Sequence, residues 1–185
     1  MTIIAYRDGV LAADTQATQG ESHRGASITK IAKRGTVLAA AAGAMPGALR
    51  FLDWFRSGMP GDTPDLGDDK NAAHGFIYTP GHPILRLTIH GWERYEAEYD
   101  AHGCGADYAL GAMAMGATAE EAVRATLKHE CLSGGEITVL RHQDSIIAPA
   151  GYDVCWANLD KARPGAIVRI RKTGSCNEVS ERGWP

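Results

Sequence analysis

Threonine at position 2, directly behind Met1, is the residue of this chain whose chemistry depends most on its place. A small second residue is the usual condition for loss of the initiator methionine, and that loss leaves Thr2 with a free α-amine beside its own hydroxyl. An α-amine has an unperturbed pKa of about 7.7–8.0, much nearer neutrality than a lysine amine. It can take the hydroxyl proton, directly or through water, and later return it to a leaving group. Such a site still requires a nearby cation to hold the amine's pKa down and backbone donors for an oxyanion. Many inert proteins begin Met-Thr, so the residue gains meaning only from what surrounds it.

The first surrounding element is a hairpin. Two short β-branched and small apolar runs, 2–7 and 10–14, flank Asp8-Gly9, a strong hairpin signal. A three-residue loop, Arg7-Asp8-Gly9 with Gly9 left-handed, pairs Tyr6 with Val10, Ile4 with Ala12 and Thr2 with Asp14. Cross-strand partners share a face, so that register makes Thr2 and Asp14 neighbours. A two-residue loop instead slips the register and turns them to opposite faces. Asp14 also has the plainer reading of a residue that ends a strand and opens a turn.

Further along, a polar, glycine-containing loop is expected over 15–25, then a second hairpin from 27–34 and 36–42 around Arg34-Gly35. Lys30 reads as an exposed strand lysine by type, yet Ile28 and Ala32 share its face and point to partial burial. Pro46 suits a first helical turn, and Ala48, Phe51, Leu52 and Phe55 recur at helical spacing, which predicts an amphipathic helix over 46–57. Its Trp54 and Phe55 face suits the core or a subunit contact. Residues 58–73 read as a loop. A third hairpin follows around Pro80-Gly81-His82-Pro83, then a strand over 92–99.

Gly103-Cys104-Gly105 opens a helix over about 106–115. Thr118 can cap a second helix, with Glu120 and Glu121 in its first turn, ending near Cys131. Ser133-Gly134-Gly135 then turns the chain into a strand over 136–141 and a shorter one over 144–149. Strands, two adjacent helices, then strands again imply an α+β layered fold, not βαβ units. The organisation expected is a domain over 2–149 followed by an extension over 150–185, which reads as an extra hairpin, an oligomer contact or a tail.

Composition removes other classes. A net charge of −3 gives no general attraction to nucleic acid or anionic lipid. There is no secretory signal pattern at the N-terminus and no apolar run long enough to span a bilayer. Cys104, Cys131, Cys155 and Cys176 form neither a CxxC motif nor a disulfide framework, so the reading is cytoplasmic. His102 with Cys104 and His129 with Cys131 lack a second pair at zinc-ligand spacing, so no metal is expected. Cys104 reads as a small buried residue rather than a nucleophile, because no histidine is placed by a recognisable motif to activate it.

Thr2-Ile3-Ile4-Ala5, Asp14-Thr15-Gln16-Ala17-Thr18, Thr29-Lys30, Ala42-Gly43 before a helix, Gly103-Cys104-Gly105 and Ser133-Gly134-Gly135 together resemble proteasome β subunits. The nearest likeness is to the bacterial HslV-type peptidase and to small proteasome-like proteins of phages and some bacteria, over roughly residues 2–149. The resemblance implies a four-layer αββα sandwich of the N-terminal-nucleophile hydrolase type and a threonine-type endopeptidase. It makes Thr2 the nucleophile with its amine as base, and Lys30 the cation that keeps the amine unprotonated. Asp14 would pair with Lys30, and the Gly43 N–H would be an oxyanion donor. Thr18 and Met45 would lie along the substrate strand. Glu130 and Ser133 would support the amine, as would Cys104. Two residues depart from the family pattern: Cys104 stands in place of a serine, and Glu130 in place of an aspartate.

The same resemblance implies peptide or unfolded-protein substrates, a homo-oligomeric double ring enclosing the sites, and an ATP-driven unfoldase partner. This chain itself carries no P-loop signature, and the chemistry calls for no cofactor. Two rival functions share the scaffold: an amidohydrolase acting on a small amide, and a ring-forming subunit with a vestigial site.

Overall fold

The computed structural model describes residues 2–19, 22–143, 152–155 and 169–172. Asp8 and Gly9 both have positive φ, 50° and 75°. Aspartate tolerates this backbone and glycine adopts it freely, so the pair closes a two-residue turn whose twist matches its strands. Strands β1 (Ile3–Arg7) and β2 (Val10–Asp14) therefore pair with Arg7 opposite Val10 and Ile4 opposite Ala13. The three-residue loop is thereby corrected: Tyr6 faces Leu11, and Asp14 comes level with Ile3 instead of Thr2.

Where a loop was expected over 15–25, the chain forms a polar ribbon, β3 (Gln16–Gln19) with β4 (Ser22–Ser27), with a register shift between Gln16 and Thr18. It lacks an apolar face, so hydrophobic alternation could not reveal it. Strands β5 (Ile31–Arg34) and β6 (Val37–Gly43) lead to helix α1 (Met45–Arg56). After the loop come β7 (Ala73–Tyr78), β8 (Ile84–Thr88) and β9 (Gly91–Tyr95). The strand expected over 92–99 is two elements. β9 ends at Tyr95, and β10 (Tyr99–Gly103) begins in the other sheet.

Helices α2 (Ala106–Ala114) and α3 (Ala119–Thr126) follow, then β11 (Ile137–Arg141). Thr118 and Glu121 form a full capping box at the start of α3. The helix stops short of Cys131 because its last turn tightens: Lys128 and His129 N–H groups donate to the carbonyls three residues back, Ala125 and Thr126. The strand expected over 144–149 lies outside the described residues.

Sheet I has the order β10-β1-β2-β11 and sheet II the order β5-β6-β7-β8-β9. Ile4, Leu11 and Ala13 of sheet I meet Ile31, Leu38, Ala40 and Phe76 of sheet II in the central core. Period-2 alternation puts Ile3, Ala5 and Ala12 on the opposite face, against Ala109, Met113, Ala122 and Val123 of α2 and α3. Phe51, Leu52 and Phe55 of α1 cover the outer face of sheet II. The layers are thus α, β, β, α, the expected four-layer sandwich. Among the described residues, no helix is long and apolar enough to cross a membrane.

Contacts divide the chain into two compact units, Met1–His142 and Gln143–Pro185. The described part of the second is an antiparallel pair, β12 (Tyr152–Cys155) with β13 (Arg169–Lys172), in which Tyr152 lies opposite Lys172.

The Phe51 ring sits directly on Gly75 of β7, leaving no room for a side chain there. Phe51→Ala should therefore open a cavity that the sheet cannot close. We expect a loss of about 3–5 kcal/mol, read as a lower urea midpoint with an unchanged slope.

Candidate active site

The Asp14 carboxylate organises the cluster. It is fully buried and ends β2, where its side chain receives three donors. Oδ1 accepts from the Ile3 N–H (3.0 Å) and from Lys30 Nζ (2.7 Å), and Oδ2 accepts from the Gly134 N–H (3.0 Å). Thr2 is thus tied to Asp14 after all, through the backbone of the residue that follows it and not through cross-strand pairing.

Lys30 is only 6% exposed, more deeply buried than its alternation implied. The Ala41 N–H donates to its carbonyl (3.0 Å), so the β5–β6 ladder continues through it and fixes its backbone. Burial pushes the Lys30 ammonium below its usual pKa, against the opposing pull of Asp14, Cys104 and Glu130. A cation is thereby held by an anion in a largely dry place beside the start of β1.

Thr2 is half-buried. Its carbonyl accepts from the Cys104 N–H (2.9 Å) and from the Cys104 thiol (3.4 Å). Gly103, with φ 107°, lies so close to that carbonyl that no Cβ fits. Cys104 is exposed, which corrects the buried reading. It ends the chain's exit from β10 and faces polar groups: its Sγ lies 3.3 Å from Glu130 Oε2 and 3.4 Å from Ser133 Oγ. Ser133 is itself buried. Partial desolvation would raise the Glu130 pKa, but hydrogen bonds from Ser133, the Leu132 N–H and Cys104 outweigh it and hold the carboxyl below the usual range.

The structure therefore brings Thr2, Asp14, Lys30, Cys104, Glu130 and Ser133 into one connected cluster. Gly43 ends β6 two residues beyond the Ala41 that is bonded to Lys30. It is exposed, with φ 97°, and the Ala72 carbonyl occupies the space a Cβ would need. Met45, 37% exposed, opens α1, and Thr18 is half-buried in β3.

Two donors escaped the sequence reading, the N–H groups of Ile3 and Gly134, because a backbone group has no signature. Gly134 also accepts, through its carbonyl, from the N–H groups of Thr15 (3.2 Å) and Gln16 (2.9 Å). The Gln16 amide fills the space where a residue 134 side chain would start. Among the described residues, no cluster of three or more His, Cys, Asp and Glu side chains is placed to hold a metal ion.

No protein-family model matches the chain, and no curated protein matches it in sequence. Solved structures do match. A BPH protein of Thiobacillus denitrificans in complex with epoxomicin superposes with a TM-score of 0.52 at 21% identity, covering 77% of this chain and 99% of that one. Eukaryotic HslV from Trypanosoma brucei gives 0.54 at 18% identity, over 76% and 99% of the two chains. A Gly-1 mutant of Anbu from Hyphomicrobium sp. gives 0.54 at 12%, over 75% and 80%. The likeness is one of fold, and it agrees with the αββα layering seen directly.

Removing one member of the Asp14–Lys30 pair leaves the other buried without its counter-charge. Asp14→Asn and Lys30→Met should each destabilise by about 3–5 kcal/mol. The double variant should lose clearly less than the sum, a coupling read from urea unfolding of all four proteins. For Glu130 the sign follows from its lowered carboxyl pKa. Its hydrogen bonds contribute fully above the ordinary glutamate value of 4.5 and are lost as pH falls through the lower folded value. Protection of the Leu132 amide, read as exchange relative to an unfolded peptide at the same pH, should thus be constant above about 4.5, fall as the pH drops from there to the lower folded value, and level off beneath it.

Proposed function

We propose that this chain is a threonine peptidase in which Thr2, freed of Met1, is the nucleophile and its own α-amine the base. The observation that carries this reading is the buried Lys30–Asp14 pair, bonded to the peptide that joins Thr2 to Ile3. Lys30 places a fixed positive charge next to the amine, and like-charge repulsion favours the amine's neutral, proton-accepting form. Asp14 keeps that lysine from swinging away into solvent.

The reaction then runs in two halves. Thr2 Oγ1 attacks the peptide carbonyl while its proton passes to the α-amine. The carbonyl oxygen gathers negative charge, for which the Gly43 N–H is the assigned donor. Collapse of the intermediate breaks the C–N bond, and the departing amine takes the proton held by Thr2. Water, deprotonated by the same α-amine, attacks the resulting ester and restores the threonine hydroxyl. Cys104, Ser133 and Glu130 act as polar supports around the Thr2 end, and Thr18 and Met45 flank the extended substrate. No cofactor enters this chemistry.

The solved structures with the same fold support extending the reading to assembly. In this proposal copies of the chain close into a stacked double ring in the cytoplasm, take peptides or unfolded protein, and receive folded substrates from an ATP-driven unfoldase.

Epoxomicin, bound in the Thiobacillus denitrificans structure, supplies the test. Intact mass after incubation should show one adduct per wild-type chain and none on Thr2→Ala. Lys30→Ala should keep its fold by circular dichroism yet lose on the order of 10²–10³-fold in kcat/KM on peptides. A chain that still carries Met1 while cleaving peptides at full rate contradicts the assignment.

A further inference from the structure

The candidate site is assembled across two sheets. Thr2 immediately precedes β1 of sheet I, Asp14 ends β2 of the same sheet and Cys104 lies just beyond β10, whereas Lys30 extends the β5–β6 pair of sheet II. The spacing of Thr2 and Lys30 therefore depends on how the sheets lie on each other. The apolar side chains between them attract without direction. Hydrogen bonds do impose direction.

One buried polar cluster crosses between the sheets close to Thr2. β10 alternates: Tyr99 and Ala101 join the packing under α2 and α3, while Asp100 and His102 face sheet II. Asp100 Oδ2 accepts from Tyr78 Oη of β7 (3.1 Å), Tyr95 Oη of β9 (2.9 Å) and His102 Nε2 (2.7 Å). An ionised carboxylate only accepts, so the His102 proton is assigned to Nε2. The Phe76 ring of β7 stacks on His102 with centroids 3.6 Å apart and planes 16° from parallel.

Burial alone would raise the Asp100 carboxyl pKa, but the bonds from His102, Tyr95 and Tyr78 outweigh it and hold it low. Two of these three donors belong to the opposite sheet, so the aspartate bolts β10 onto it. From there β10 runs straight into Thr2's contacts. His102 pairs with Ile4 and Gly103 with Ile3, and the Cys104 N–H donates to the Thr2 carbonyl.

We propose that Asp100, His102, Tyr78 and Tyr95 form a positioning device that fixes the end of β10, and with it Thr2, against the sheet that carries Lys30. Neither Asp100 nor His102 touches the reacting atoms; both act through Gly103 and Cys104. The effect on catalysis rests on the peptidase reading above, but the mechanical tie does not. Buried polar networks of this kind select one arrangement among several that apolar packing tolerates.

The test compares full-length wild type with His102→Leu, which removes the donor, and His102→Gln, which returns an N–H to Asp100. Amide hydrogen exchange at Cys104 is read alongside kcat, KM and the rate of epoxomicin modification. In His102→Leu the Cys104 amide should exchange about tenfold faster or more, while Leu11 and Ala12 in the interior of sheet I change little. Its kcat should fall on the order of 10–100-fold with KM nearly unchanged, and His102→Gln should recover most of both losses. Should His102→Leu unfold, Tyr95→Phe provides the same comparison from the sheet II side. Wild-type exchange at Cys104 in the folded variants overturns the proposal, as does a loss that His102→Gln fails to repair. A wild type inert to epoxomicin and peptides removes the peptidase reading, and the exchange data still decide the tie.

Discussion

A lysine and an aspartate 2.7 Å apart, both almost wholly withdrawn from water, set the terms for everything around them. Taking two charges out of water is expensive, and their attraction offsets that only where geometry and further hydrogen bonds are good. Asp14 meets the condition by accepting, besides Lys30, from two backbone N–H groups in distant parts of the chain, Ile3 and Gly134. The pair therefore gathers three segments at one point: the start of the first strand, the lysine ahead of β5, and the loop behind α3. Well-packed apolar residues would serve stability equally well. A paired charge there instead fixes where the three segments meet, which packing without direction does not.

That gathering point lies where two sheets meet, and the composition of the strands permits it. Sheet II is lined by Ala39, Ala40, Ala41 and Ala42, small side chains that let α1 approach from one side and sheet I from the other. Small residues fill space but grip weakly, so directional groups matter more in this interface than in one built of leucines. The stack of Tyr6 on Tyr78, with ring centroids 4.3 Å apart, and the hydrogen bond of His142 to the Thr36 carbonyl between β5 and β6, 2.8 Å, belong to the same set of directional contacts.

Much of this was legible in the amino-acid order. Strands with alternating apolar residues, α1 with its Phe51, Leu52 and Phe55 stripe, and the Thr118 cap all announce themselves through local periodicity or local chemistry. What failed was the part that depends on partners. Asp8-Gly9 permits two turn lengths, and only the tertiary pairing selects the shorter one, so the sequence left open the route by which Thr2 meets Asp14. Asp100 and His102 drew no structural reading, because the tyrosines that satisfy the aspartate stand on strands of the other sheet, Tyr78 on β7 and Tyr95 on β9. The β3–β4 ribbon has no apolar face at all, so nothing in its pattern distinguishes it from a loop.

Gly134 stands between two peptide groups, and both are committed to other segments of the chain. Its N–H is spent on Asp14 and its carbonyl on the N–H groups of Thr15 and Gln16 at the foot of the β3–β4 ribbon. Any displacement of the Gly134 Cα would therefore loosen the Asp14 carboxylate and the foot of the ribbon together, because one backbone atom carries both attachments.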